Sequence, residues 1–159
     1  MAVAAFALAT AACTSTPSYQ TAAMEASDAG DQKTAISLAK KEVARFSTPD
    51  QCSRTTSYNC GTLALAYGTL AGYQILDGDR AAGERSFDSA KGALGWMDPE
   101  NKPSATAMVY RDVSEAFWKM GDRTRAVAVF REGRAAGADV YLFMSSAANA
   151  AEQPPAGSR

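Results

Sequence analysis

The chain has 159 residues, enough for one domain, with 47% hydrophobic and 21% charged residues, a globular rather than a disordered balance. A formal net charge of −1 leaves no electrostatic footprint for nucleic acid, and no apolar run approaches the roughly 20 residues of a membrane-spanning helix. Histidine is absent, which removes the commonest general base, the usual triad partner and the commonest metal ligand.

The chain opens with an uncharged run of small apolar residues, Met1 to Ala12, ending at Cys13. Thr14-Ser15-Thr16-Pro17-Ser18 follows and reads as a linker. An apolar core closed by small residues is the pattern of a secretory leader. With a cysteine directly after Ala11-Ala12, the segment resembles a bacterial lipoprotein signal. That resemblance implies a signal peptide over 1–12, lipidation of Cys13 and a linker over 13–18.

Helix-forming, alanine-rich sequence begins after the linker, and a Gly-Asp pair at Gly30-Asp31 divides it in two. Next comes a polar stretch without helical period, Ser47 to Cys60, holding Cys52 and Cys60. With Cys13 taken by lipid, these two remain as a pair that an oxidising compartment would join. Closing so short a loop stabilises by roughly 2–3 kcal/mol. A zinc site is disfavoured, since there is neither CxxC spacing nor histidine.

Gly-Asp recurs at Gly78-Asp79 and Gly121-Asp122, each time between two helix-like segments. Glycine ends a helix by taking positive φ without steric cost, and the aspartate caps the next helix. Three such turns predict three helix hairpins. Small residues stand five positions after each glycine (Ala35, Gly83, Ala126), followed four later by Ala39, Phe87 and Phe130. That spacing puts small and large on one helix face.

The third copy carries Tyr110, Val113, Ser114 and Phe117 before its glycine, and Ala126, Phe130 and Gly133 after it. The second keeps Tyr67, Leu70, Ala71, Phe87 and Ala90, with Gln74 at the site of an aromatic. These positions resemble the tetratricopeptide repeat, although the glycines stand 48 and 43 residues apart instead of the family's 34. The extra residues are the cysteine stretch and Trp96 to Pro103. The resemblance implies an all-α, tetratricopeptide-like stack of about three helix hairpins over 19–147. A terminal capping helix is expected from the segment Asp139 to Ala148, opened by its aspartate and carrying the apolar cluster Val140 to Met144, and a disordered tail over 148–159.

In such arrays the first helix of each pair lines a concave groove. The resemblance therefore implies a partner-binding stripe of Leu65, Gly68, Gly72 and Ile75 in the second copy, and Met108, Arg111, Glu115 and Trp118 in the third. Arg123, Arg125, Arg131 and Arg134 form a basic set on the second helix of the third copy. Glu84 with Asp88, and Asp112 with Glu115, read as solvated acidic pairs. Ser37-Leu38-Ala39-Lys40 matches a penicillin-binding pattern but lacks its partner motifs, and no hydrolase elbow, phosphate loop or dinucleotide fingerprint is present.

The expectation is a non-enzymatic scaffold without cofactor or metal. It would bind other envelope proteins, anchored through Cys13 to the outer membrane and facing the periplasm. Two alternatives stay open: a periplasmic enzyme or small-ligand binder with a pocket between hairpins, and a soluble cytoplasmic adaptor.

Overall fold

The computed structural model describes residues 18–46, 52, 57–139 and 144–152. The chain is all-helical there: α1 (Tyr19–Asp28), α2 (Gln32–Arg45), α3 (Ser57–Leu76), α4 (Arg80–Gly95), α5 (Lys102–Lys119), α6 (Arg123–Ala135) and α7 (Ser146–Glu152). Helices pair as α1/α2, α3/α4 and α5/α6, the hairpins stack in chain order, and α7 packs on α6 and α5 at the far end.

Each expected turn forms as its chemistry dictates. Gly30, Gly78 and Gly121 sit at φ of 82°, 89° and 81°, a region closed to most side chains. The carboxylates of Asp31, Asp79 and Asp122 accept from the amides of Thr34, Ala82 and Arg125 at 3.0, 2.9 and 2.9 Å. Thr34's bonds hold Asp31 below the ordinary aspartate value. Gly137, also at positive φ, ends α6 the same way, its amide donating to Arg134 O and that of Ala138 to Gly133 O.

The core follows the repeat register. Ala35, Ala126 and Phe87 are fully buried, and Ala39, Tyr110, Phe117 and Phe130 nearly so. Phe87 meets Tyr110 edge-on, with ring centroids 4.9 Å apart, tying the second hairpin to the third. Gln74 is buried where the third copy has Phe117, and its Oε1 accepts from the Ser86 hydroxyl at 2.7 Å. Ser86 in turn occupies the register of Val129, so a hydrogen-bonded pair replaces an apolar one.

Two glycines on helices mark close approaches. A Cβ on Gly68 would come within 3.2–3.3 Å of Val109, so α3 and α5 press together there. A Cβ on Gly83 would lie 2.5 Å from Ile75 Cγ1 and 3.1 Å from Ala71 O, where α4 crosses its partner α3.

Three ion pairs bridge the second and third hairpins: Arg80–Asp122 at 2.6 Å, Arg125–Glu84 at 2.7 Å and Lys91–Glu132 at 3.3 Å. The expected basic surface on α6 is thereby taken apart. Arg125 holds Glu84 through two nitrogens, Arg123 lies over the Trp118 ring, Arg134 over Phe130, and Arg131 donates to Ala151 O. Glu84 and Asp88 are likewise not a free acidic pair, because Asp88 binds Lys91 at 2.8 Å.

The cap at the C-terminal end differs from expectation. The residues that Asp139 was expected to cap, 140–143, lie outside the described residues; the Asp139 amide donates to Pro103 O at 3.0 Å, pinning the chain to the start of α5. The capping helix starts at Ser146 and runs through Glu152, into residues expected in the tail. Residues 140–143 and 153–159 lie outside the described residues, as do 1–17 with the signal and Cys13.

Candidate functional site: the groove of the first helices

The first helices α1, α3 and α5 line one side of the stack and enclose an open groove of about 410 Å³. Gln20, Met24, Ser27 and Asp28 contribute from α1, and Thr69, Gly72, Tyr73 and Leu76 from α3. Met108, Arg111, Asp112, Glu115, Ala116 and Lys119 contribute from α5. Every hairpin supplies a wall.

Of the eight residues expected on this face, Gly72, Met108, Arg111 and Glu115 line the groove. Leu65, Gly68, Ile75 and Trp118 do not. Gly68 backs onto Val109, and Ile75 is only 3% exposed with its Cγ1 over Gly83. Trp118 packs against the core beneath the Arg123 guanidinium, 5.1 Å from its ring centroid. The lining stripe on α3 runs through Thr69, Gly72, Tyr73 and Leu76, matched on α5 by Asp112, Glu115, Ala116 and Lys119. It is shifted by one residue from much of the expected stripe because 75 and 118 turn into the packing seams.

The charges of the groove differ in how well the fold compensates them. Glu115 accepts from both the amide and the hydroxyl of Ser146, so it caps α7 from outside that helix. Glu42 on α2 does the same for α1, accepting from the Ser18 hydroxyl at 3.3 Å and the Tyr19 amide at 2.9 Å. Asp112 has a weaker setting. Among the described residues its one ion pair is with the adjacent Arg111 at 3.4 Å, and its side chain, 36% exposed, lines the groove. Crowding by protein on its other sides raises the carboxyl above the ordinary aspartate value; Arg111 offsets this in part and Glu115 adds to it. The Tyr73 phenol is raised too, first by burial and then by the negative charges of Asp112 and Asp28. Asp28 forms no ion pair among the described residues.

The expected stripe omits Met24, Asp28 and Tyr73, and the sequence reads Asp112 with Glu115 as a solvated acidic pair. The signal for Tyr73 was present: it stands one place before Gln74, where the repeat asks for an aromatic. Only the hairpin rotation shows that this place faces the groove.

Two other hollows are smaller. One, of about 260 Å³, lies beside Cys52, Leu63, Tyr67 and Trp96. The other, of about 240 Å³, lies between Lys91, Lys102, Thr106 and Tyr110. Cys52 and Cys60 are joined as a disulfide, with Cα atoms 4.8 Å apart. Among the described residues no cluster of three cysteines or carboxylates is placed to hold a metal ion, and no helix is long and apolar enough to cross a membrane.

Comparison with known proteins found no matching family model, no similar curated protein and no matching solved structure.

Proposed function

We propose that the chain is a tetratricopeptide-like scaffold that binds a segment of another protein in the groove of α1, α3 and α5. One observation carries this reading: three successive hairpins turn their first helices to the same open trough, with Met24 53% exposed at its wall. An open trough between rigid helices suits a helix or extended segment better than an enclosed substrate. The side chains there mix thioether, phenol and charge, as interfaces do.

The lipoprotein-like start and the Cys52–Cys60 pair support an exported protein, tethered through Cys13 to the outer membrane and helping an envelope, secretion or pilus assembly to form. Such a scaffold needs no catalytic group or cofactor.

Two measurements test the reading. Intact mass spectrometry of protein from host envelope fractions should give a chain without residues 1–12, carrying acyl groups and lacking two protons. A photo-reactive phenylalanine analogue at Met24 or Met108 should cross-link to another protein in the same cells, whereas one at exposed Ser89 on α4 should not. Equal cross-linking from both faces would overturn the groove, and an unprocessed chain with free thiols would overturn the envelope address.

A further inference from the structure

We propose that the groove recognises its partner through a cation: a lysine or arginine side chain of the bound segment, flanked by apolar residues, seated against Asp112 and Asp28 beside the Tyr73 ring. This rests on the reading of the groove as the binding surface and gives it a chemistry.

The argument starts from which groove charges are already used. Glu115 is committed to Ser146 and the start of α7. Arg111 reaches Asp112 only from the adjacent position, at 3.4 Å through one nitrogen. Lys119 is exposed, one turn beyond Glu115 towards the end of α5. Asp112 on α5 and Asp28 on α1 therefore both line the trough, and both act electrostatically on Tyr73 of α3; Arg111 and Lys119 offset the Asp112 charge in part, while Asp28 has no ion pair among the described residues. A guanidinium or ammonium there gains two carboxylates and an aromatic edge or face.

The flanks favour a side-chain cation over a bare ion. Met24 and Leu76 from α1 and α3, and Met108 and Ala116 from α5, line the same trough, so apolar residues flanking the basic one have surface to cover. Among the described residues no group of three carboxylates or cysteines is placed to hold a metal ion.

The proposal carries a pH dependence. Asp112 faces Arg111, Glu115 and Lys119 on its own helix, Tyr73 on α3 and Asp28 on α1. Cation binding favours ionised Asp112. Affinity should thus fall as pH drops through its titration, which lies above the ordinary aspartate value of 3.8.

The experiment pans a random dodecapeptide phage library on the immobilised full chain, then measures synthetic winners by fluorescence anisotropy. Enriched peptides should share a lysine or arginine between apolar residues. Asp112→Asn, and norleucine in place of the basic residue, should each weaken binding about tenfold, and the two together little more than either alone. Met24→Ser with Met108→Ser should weaken the same peptides by removing the apolar flanks. If winners lack a basic residue, or bind Asp112→Asn unchanged while the methionine variant weakens them, the cation proposal fails and the groove stands. If no peptide is enriched, or none responds to the methionine variant, the groove reading fails with it.

Discussion

Gly83 and Gly92 both lie in α4, and replacing each by alanine should shift stability in opposite directions. Alanine stabilises a helix interior by about 1 kcal/mol over glycine, and at Gly92 nothing lies within 4 Å of the new Cβ. Gly92→Ala should therefore raise the melting temperature by roughly 2–4 °C. At Gly83 the same gain meets Ile75 Cγ1 at 2.5 Å and the Ala71 carbonyl at 3.1 Å. Ile75 is 3% exposed and the carbonyl belongs to a helix backbone, so neither can withdraw. Overpacking costs about 1–3 kcal/mol, and the upper end applies here, leaving a net loss of about 2 kcal/mol and a fall of roughly 4–8 °C. The register explains why the other copies tolerate alanine: Ser27 and Trp118 stand where the second has the β-branched Ile75. Thermal and urea melts of the two variants decide the matter, with a cycle through Ile75→Ala in which the Gly83→Ala penalty should shrink. Equal stabilisation by both substitutions would refute the close α3–α4 crossing.

Other outcomes follow from single contacts. Glu84 is held below the ordinary glutamate value of 4.5, chiefly by its hydrogen bonds from Arg125. The unfolded chain thus binds the proton first on acidification, and this pair's stabilisation is lost as pH falls through the lowered value. Glu84→Gln should cost about 1 kcal/mol at neutral pH and flatten the acid limb of the stability profile. Asp112 has the opposite sign: raised in the folded state, it favours folding less as pH rises through the window above 3.8. Asp112→Asn should therefore be more stable than the parent at neutral pH by urea denaturation. Replacing Cys52 and Cys60 by alanine should cost about 2–3 kcal/mol, and reductant should lower the melting temperature of the parent but not of the variant. The Thr106 hydroxyl is buried without a hydrogen-bond partner among the described residues, and Thr106→Val, nearly isosteric, should stabilise by about 1 kcal/mol in the same melts.

The hairpins were legible because a helix stop and a helix start are local chemistry. Gly-Asp places a residue suited to positive φ beside one suited to capping, and no distant contact competes with that choice. The core was legible for a similar reason, since Ala126 and Phe130 share a face wherever the helix goes. The groove was legible only in part. Which stripe of α3 faces the trough depends on how far the hairpin rotates when Gly83 admits Ile75 and Gly68 admits Val109, and that rotation belongs to pairs of helices. The remote caps were invisible for the same reason. Nothing near Ser18 or Ser146 announces Glu42 or Glu115, which reach them from 24 and 31 residues away. The α6 arginines read as a surface because their partners, Glu84 and the rings of Trp118 and Phe130, lie on other turns or other helices.

The acidic side chains divide by the work the fold gives them. Asp31, Asp79 and Asp122 cap helices within their own turns, Glu42 and Glu115 cap helices from afar, and Glu84 and Glu132 join neighbouring hairpins. Each is matched by donors from the rest of the chain, and each stabilises the stack. Asp112 breaks the pattern, because its surroundings raise its pKa, and its surface opens to the trough. Under the proposed reading, the missing compensation would arrive with a basic side chain of the partner seated in the groove.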